Sequence, residues 1–178
     1  MTAGDIMELR TVRLLRIPLA VQVRSTEHFD GLMREFALIS MDADREGDPS
    51  SRHVPARLLD LVEELNRQYS SFTADVTAER DAAIARGESE IDLTYRVPLS
   101  VVDATRRLEV LLDEADAYCR SGQHLITLET PPESRAFREW YLSEFVGQVE
   151  QGRDPIPWPD YVAEHHKGAE WAAARPLR

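Results

Sequence analysis

The chain has 178 residues, and its 32 acidic against 21 basic side chains give it a formal net charge of −11. That length fits one domain, and the 43% apolar fraction is ordinary for a globular protein with its own core. The negative charge argues against nucleic-acid partners. The lack of a signal peptide or of any apolar run of about 18 residues argues against secretion and membrane insertion, so we expect a cytoplasmic protein.

The first predicted strand covers about residues 12–24. Apolar residues alternate with polar ones there, and Ile17, Leu19 and Val21 share the apolar side. A period of two over this length predicts a strand with one buried face. Pro18 has no N–H to donate, so it indicates an edge position, a bulge or a division into two strands at this point.

The next predicted element is a helix that begins after a cap at Ser25 or Thr26. Apolar residues recur at spacings of three and four from Phe29 to Phe36, which places them on one face of the helix. Residues 42–52 are charged and contain Gly, Pro and Ser, so they predict a loop.

A second helix is predicted to begin near Pro55, because proline is favoured in the first turn of a helix. Its apolar stripe comprises Leu58, Leu61, Val62, Leu65 and Tyr69. The serine pair at 70–71 allows a break in this helix. Helical character then resumes and continues until Gly87, which is a typical helix-ending residue.

The clearest strand covers residues 91–97, where Ile, Leu, Tyr and Val alternate with polar residues until Pro98 ends the pattern. A long helix follows over 99–120 and ends at Gly122. The segment His124–Glu129 is predicted to be a short strand. Strand, helix and strand in this order predict a right-handed crossover that joins two parallel strands.

The last long helix begins at a strong start signal, which combines a cap at Thr130, the proline Pro131 and the acidic residue Glu133. Its predicted core face is heavily aromatic and comprises Phe137, Trp140, Tyr141, Phe145 and Val149. The composition then changes, with prolines at 155, 157 and 159. We therefore divide the chain into a single α/β domain over 1–152 and a proline-rich tail with a short helix over 153–178.

Aromatic residues of this helix and of the tail are the interface candidates, namely Trp140, Tyr141, Trp158 and Tyr161. Adjacent helical residues point about 100° apart, so Trp140 and Tyr141 can divide between the core and the surface. Aromatic side chains are enriched at interface hot spots, which favours a docking patch. The alternative is that the tail folds back and covers the helix.

The sequence contains no Gly-rich phosphate loop, no nucleophile elbow and no metal-binding pair of cysteines. We therefore assign no catalytic residue, no cofactor and no metal ligand. The single cysteine, Cys119, is interpreted as a half-buried small apolar residue rather than a reactive thiol. Solvated positions without a joint chemical role are predicted for His165, His166, Asp113, Glu114 and Asp116.

Three stretches of the sequence carry a resemblance to known proteins. They are RSTEHFDGLMREFALI at 24–39, VPARLLDLVEELNRQY at 54–69 and DEADAYCRSGQHLITLETPPESRAFREWYLSEFVGQV at 113–149. Together they resemble a group of actinobacterial proteins found beside STAS-domain antagonists and anti-sigma kinases of the partner-switching type, over about residues 9–158. The resemblance implies a regulatory, protein-binding role in bacterial stress or developmental signalling, with STAS-domain or anti-sigma regulators as partners.

The helix LLDLVEELNRQY, residues 58–69, is also similar to the acidic, Asn-containing helix of anti-sigma kinases with the histidine-kinase-type ATPase fold. In that family a Glu and an Asn one helical turn apart serve magnesium–ATP, so the resemblance implies Glu63 and Asn66 as cofactor-binding candidates. Here the two residues are three positions apart rather than four, and Leu65 and Arg67 depart from the usual neighbours. No Asp-x-Gly-x-Gly segment and no Gly-rich lid follow, which counts against ATP binding.

These patterns together predict one α/β or α+β domain, in which a small mixed sheet of three or four strands is covered by four or five helices. The function they favour is a non-enzymatic regulatory module that binds protein partners, with a homodimer as a further option. Two alternatives stay open: a degenerate nucleotide-binding protein, and a small-molecule sensor with an apolar pocket beneath the aromatic helix.

Overall fold

The computed structural model describes residues 8–46, 53–122 and 129–173. Its elements in chain order are β1 (Leu9–Pro18), α1 (Leu19–Glu46), α2 (His53–Ala85), β2 (Glu90–Pro98), α3 (Val101–Ser121), α4 (Pro132–Glu150), α5 (Trp158–His165) and α6 (Glu170–Ala173). The fold therefore mixes helix and sheet, as expected. Within the described residues the sheet has two strands rather than three or four, and there are six helices rather than four or five.

The two strands pair antiparallel, with Val12 opposite Tyr95 and Leu14 opposite Leu93. These four side chains are buried on one face of the sheet, because strand side chains alternate between the two faces. The prediction of β2, including its end at a proline, is confirmed. The long helix predicted over 99–120 is also confirmed, since α3 covers nearly the same residues.

A bulge interrupts β1 near its end, where the register shifts between Leu14 and Ile17. Arg16, at this bulge, has a φ of 57°, a left-handed backbone conformation that residues other than glycine rarely adopt. Its N–H donates a 2.7 Å hydrogen bond to the side chain of Asp92, which holds the bulge against β2. The strand then ends at Pro18.

Helix α1 begins at Leu19, directly after β1. The predicted continuation of the strand to Arg24 and the predicted helix start at Ser25 or Thr26 are therefore wrong. The short alternation after the proline fits a helix equally well. Val21 is buried and lies on the spacing of three and four residues that the later core residues of α1 continue.

Helix α2 is continuous through the serine pair at 70–71, so the break that the sequence allowed does not occur. Tyr69, Phe72 and Val76 lie on both sides of the serines and pack into the same core. Such tertiary contacts stabilise a helix through residues of low propensity. The helix ends just before Gly87, which has a φ of 72°, as its sequence position predicts.

Two predicted segments lie partly outside the described residues. In the predicted loop 42–52, the first part is helical because α1 continues to Glu46, and residues 47–52 lie outside the described ranges. The predicted strand His124–Glu129 also lies outside them, apart from Glu129, which does not belong to a strand. The parallel crossover that would involve this strand stays a prediction.

Two groups of buried residues form the core. The first lies beneath the sheet and includes Val12, Leu14, Ile17, Leu93, Tyr95, Val97, Tyr69, Val76, Phe137, Trp140, Phe145 and Trp158. The second joins α1, α2, α3 and α4 and includes Leu32, Phe36, Leu58, Leu61, Leu111, Leu112, Ala115, Cys119 and Leu142. Helices alone thus bury the second group, which explains how this chain folds with a small sheet.

Helix α4 is the central element, since it contacts β1, α1, α3, α5 and α6. The described part of the tail packs on the same core as the residues before it. Its helix α5 contacts β1 and α4, and Trp158 is buried in the first group. None of the described helices combines the length and the apolar character that crossing a lipid bilayer requires.

Candidate functional site

Trp140, in the middle of α4, anchors the tail to the core. Its side chain is fully buried, and its indole N–H donates a 2.8 Å hydrogen bond to the backbone carbonyl of Ile156. The ring of Trp158 lies edge-on to the rings of Trp140 and Phe137, with centroids 5.5 Å apart in both cases. The tail therefore folds back over α4, which is the second of the two arrangements considered for these aromatic residues.

Tyr141 and Tyr161, the other two interface candidates, are half-buried. The O–H of Tyr141 donates a 2.8 Å hydrogen bond to the hydroxyl of Tyr95, and burial raises the pKa of both these tyrosines. Tyr161 stacks on Trp158 at 6.0 Å and on His165 at 4.4 Å between ring centroids. A docking role for the four candidate residues stays a prediction.

A buried carboxylate, Glu144, connects the tail to α4. It accepts hydrogen bonds from Arg153 at 2.5 Å, from Gln148 at 2.7 Å and from the N–H of Ile156 at 3.0 Å. Burial raises the pKa of Glu144, while these three donors act in the opposite direction. The sequence analysis missed this residue, although Glu144 lies four positions after Trp140 and so falls on the apolar stripe of the helix.

Because Gly147 has no side chain, the side chain of Arg153 can lie directly against the backbone of α4 at this position. A Cβ atom at this position would lie 2.5 Å from Nε of Arg153, which is too close for a real contact. The N–H of Arg153 also donates a 3.0 Å hydrogen bond to the carbonyl of Gly147. The glycine and the arginine thus form the tightest part of the junction between α4 and the tail.

A second buried carboxylate, Asp116, joins α3 to the start of α4. It accepts hydrogen bonds from Thr130 at 2.6 Å and from Arg138 at 3.0 Å. The solvated position predicted for Asp116 is therefore wrong. Its spacing from Leu112 and Cys119 places it on the buried stripe of α3, and the arginine and threonine compensate the cost of burying its charge.

The predictions for the residues next to Asp116 are correct only in part. The cap predicted at Thr130 is wrong, because Pro131 occupies the cap position of α4 and the Thr130 hydroxyl binds the carboxylate of α3 instead. Asp113 is exposed as predicted and pairs with Arg138, which is mostly buried, whereas Glu114 is partly exposed and pairs with Arg57 at the surface.

A cleft of about 450 Å³ lies between the start of α4 and the end of the tail, and we call it the tail cleft. Arg135, Glu139, His166 and Trp171 contribute to its lining, so it carries both signs of charge beside aromatic rings. His166, predicted to be solvated, is half-buried and lies 5.2 Å from the ring of Trp171. Among the described residues, no three His, Cys, Asp or Glu side chains are grouped as a metal ion would require.

A second cleft, of about 500 Å³, runs between α2 and α3, and we call it the α2–α3 groove. Leu61, Val110 and Leu111 give it an apolar lining, and Val110 is 55% exposed. Arg107 donates two hydrogen bonds of 3.0 Å to the carboxylate of Glu64 across the groove. These bonds are the main reason that the pKa of Glu64 is lowered.

Glu63 and Asn66, the candidates for nucleotide binding, are exposed on α2. Neither lines the α2–α3 groove or the tail cleft. The neighbouring Glu64 faces the groove, and successive helical residues point about 100° apart. The structure therefore does not bring Glu63 and Asn66 to either cleft.

Cys119 packs among the apolar residues of the second group and forms no disulfide, and it is fully buried rather than half-buried as predicted. Burial raises the pKa of its thiol to about 11, and the negative charges of Asp116 and Glu129 add to the shift. The thiol is therefore protonated at neutral pH and poorly suited to nucleophilic chemistry.

The described residues thus combine two open clefts with two buried carboxylates that hold helices and tail together. The two buried carboxylates, Glu144 and Asp116, are bound by neighbouring side chains and backbone, whereas the lining of the clefts combines apolar and charged side chains. No protein-family model matches the chain, and no curated protein or solved structure is similar enough to count as a match.

Proposed function

We propose that the chain is a non-enzymatic regulatory protein that binds a helix of a protein partner in the α2–α3 groove, as part of a bacterial partner-switching system. The observation that supports this most is Val110, which is 55% exposed in a groove whose walls are charged. A partner that covers this side chain removes apolar surface from water, which contributes favourable free energy to binding.

The charged walls of the groove fit the rim of a protein interface. The ion pairs Arg107–Glu64 and Arg57–Glu114 connect α2 with α3, and their side chains are about half exposed. Protein interfaces commonly place an apolar centre inside a polar, solvated rim in which arginine is enriched. The two ion pairs would hold the two walls of the groove at a fixed separation while Val110 supplies the apolar contact.

The geometry of two packed helices favours a helical ligand. A third helix can lie in the groove between two others and contact it through apolar residues at spacings of three and four. The net charge of −11 attracts partners with an excess of basic residues over long distances. The expected ligand is therefore a basic amphipathic helix.

The resemblance points to the class of partner. The stretch 54–69, one of the three that resemble proteins of partner-switching systems, lies in α2 and supplies Leu61 and Glu64 to the groove. STAS-domain and anti-sigma regulators are therefore the first partners to test.

Titration calorimetry with purified STAS-domain and anti-sigma proteins of the same genome tests the proposal. The wild type is expected to bind one of them, and Val110→Glu is expected to weaken that binding by about tenfold or more. Leu38→Glu is the matched control, because Leu38 is 56% exposed on α1 and does not line the groove.

Equal weakening by both substitutions, or binding that is insensitive to Val110→Glu, would contradict the groove as the binding site. If none of these regulators binds, the partner-switching role is lost. A pull-down at low salt then supports a protein-binding role only if capture of one protein disappears with Val110→Glu and persists with Leu38→Glu.

A small-molecule sensor is the second candidate, and the tail cleft favours it. Arg135 and Glu139 provide opposite charges beside the ring of Trp171, which suits a zwitterion with an apolar side chain, such as an amino acid. A thermal shift with one of the standard amino acids that disappears in Trp171→Ala would support this function, and no shift with any of them would remove it.

A further inference from the structure

Gln148 of α4 closes the outer edge of β1. The N–H of Arg13 donates a 2.9 Å hydrogen bond to Oε1 of Gln148, and Nε2 of Gln148 donates a 2.8 Å bond to the carbonyl of Arg13. The backbone groups of Arg13 therefore point away from β2. One side-chain amide thus occupies the positions that a third strand would use on this side of the sheet.

The same geometry determines which backbone groups of β2 are free. Arg13 lies opposite Thr94, and opposed residues of an antiparallel pair either bond to each other or both point outward. Since the N–H and C=O groups of Arg13 point away from β2, those of Thr94 point away from β1, toward the far edge of β2. The alternation repeats every second residue, so Asp92 and Arg96 present their N–H and C=O groups at the same edge.

This far edge of β2 has no strand beside it in the described part of the chain, where β1 is the only neighbour of β2. No hydrogen bond joins the outward backbone groups of Asp92, Thr94 and Arg96 to any other described residue. The side chains of all three are exposed, on the face of the sheet opposite the core. An edge that is unpaired among the described residues can pair with the strand of another chain.

We propose that the chain forms a homodimer in which the β2 edges of two copies pair antiparallel about a two-fold axis at Thr94. In this register, Asp92 of each copy lies opposite Arg96 of the other copy. One oxygen of Asp92 accepts the N–H of Arg16 in its own chain, and its other oxygen is left for the arginine of the partner copy. Two pairs of opposite charge therefore form across the interface, and such cross-strand pairs stabilise antiparallel sheets. The two hairpins become one continuous sheet with the strand order β1–β2–β2–β1.

Charge and backbone chemistry select this register over its neighbours. Sliding one strand by two residues keeps the hydrogen-bonding pattern, but one direction places Asp92 opposite Pro98, which has no N–H. The other direction places Asp92 opposite Thr94, so that its carboxylate has no arginine across the interface. The register centred on Thr94 uses all the outward backbone groups and matches Asp92 with an arginine.

Sedimentation equilibrium of the full chain tests the association. The wild type is expected at twice the chain mass of 20.3 kDa. Thr94→Pro is expected at the monomer mass, because proline removes the outward N–H and leaves the bonds between β1 and β2 in place. Thr94→Val keeps that N–H and, as the matched control, stays dimeric. A wild type that is monomeric up to millimolar concentration, or a dimeric Thr94→Pro variant, overturns the proposal.

A charge exchange tests the register and does not depend on how well the proline variant folds. Asp92→Arg and Arg96→Asp each place like charges opposite one another, so each alone is expected to dimerise about tenfold more weakly or worse. A mixture of the two restores both opposite pairs and is expected to form a heterodimer. Circular dichroism verifies that each variant is folded, and a mixture that associates no better than its components overturns the register.

A covalent test uses the two-fold axis itself. Bonded partners in an antiparallel pair have Cα atoms about 5.5 Å apart, which lies within the range for a disulfide. Thr94→Cys is therefore expected to form a disulfide-linked dimer under mild oxidation. Thr11→Cys, on β1, is the matched control and is expected to stay monomeric, and the buried Cys119 does not contribute. Equal cross-linking of both variants would contradict pairing at β2.

Discussion

The carboxylate of Glu144 and the guanidinium of Arg153 lie 2.5 Å apart, and the carboxylate is completely buried. Removing one partner of such a pair leaves an uncompensated charge in the core. Arg153→Met is expected to lower the free energy of unfolding by about 2 kcal/mol, below the value for fully buried pairs because Arg153 is 34% exposed. Urea denaturation measures this change.

The matched control for this prediction is Arg106→Met. Arg106 forms a similarly short ion pair with Glu150, at 2.6 Å, but both side chains are about half exposed. An exposed pair contributes less than about 1 kcal/mol, so the control is expected to unfold at nearly the same urea concentration as the wild type. Equal losses in the two variants would show that burial of Glu144 does not set the strength of its pair.

The pKa of Glu144 gives the same contact a pH dependence. Burial raises this pKa, so the folded chain keeps the proton at a pH where the unfolded chain has already lost it. The resulting contribution to stability is complete below the unfolded value of 4.5 and is lost as the pH rises through the folded pKa. Relative to Glu144→Gln, the wild type is therefore expected to lose stability from acidic to neutral pH, and a constant difference in urea denaturation would contradict this.

Gly147→Ala is expected to destabilise the junction between α4 and the tail. The added Cβ would lie 2.5 Å from Nε of Arg153, and such overpacking costs about 1–3 kcal/mol. Gly31→Ala in α1 is the control, since its Cβ would meet only Arg34, at 3.9 Å, and alanine stabilises a helix interior by up to about 1 kcal/mol. Thermal melts should shift in opposite directions, and a shift of both variants in one direction would refute this explanation.

The thiol of Cys119 is expected to be unreactive in the folded protein. It is fully buried, and its pKa of about 11 leaves almost no thiolate near neutral pH. Retention of the thiol proton contributes to stability below the unfolded value of 9.0, and this contribution is lost as the pH rises through about 11. Ellman's reagent should react slowly with the native chain and rapidly in urea, and equal rates would show that the thiol is accessible.

Magnesium–ATP at millimolar concentration is expected to leave the melting temperature unchanged. Glu63 and Asn66 are exposed and lie outside both clefts, whereas a nucleotide that bound only the folded state would raise the melting temperature. Glu63→Ala and Asn66→Ala should each change the unfolding free energy by less than about 0.5 kcal/mol. A rise with magnesium–ATP that either substitution removes would restore the nucleotide-binding alternative.

The elements with clear ends were predictable from the sequence. β2 has a strict alternation that stops at Pro98, and α3 has a long stripe that stops before Gly122. The junction of β1 and α1 could not be predicted, because the few apolar residues after Pro18 fit a period of two and a period of 3.6 equally well. Tertiary packing decided between these two periods and also kept α2 intact through its serines.

The candidate site was less predictable than the fold. The α2–α3 groove depends on how two helices from different parts of the chain pack, which local patterns do not contain. A signal did exist for single residues: Asp116 and Glu144 are charged residues on apolar stripes, and Val110 is an apolar residue away from the stripe of α3. A charged residue on the apolar stripe of a helix therefore indicates a buried charge with bonded partners, as at Asp116 and Glu144.

Strand β1 passes into α1 without any loop, since Pro18 ends the strand and Leu19 begins the helix. No flexible linker absorbs motion there, and the 28 residues of α1 extend for about 42 Å. The direction of α1 is therefore tied to that of β1, and α1 in turn packs on α2 and α4. A change of a few degrees in sheet twist at its base, such as a newly added strand imposes, would displace the distal end of α1 by several ångströms. Assembly at the sheet would in this way change the packing between the far end of α1 and the first turns of α2.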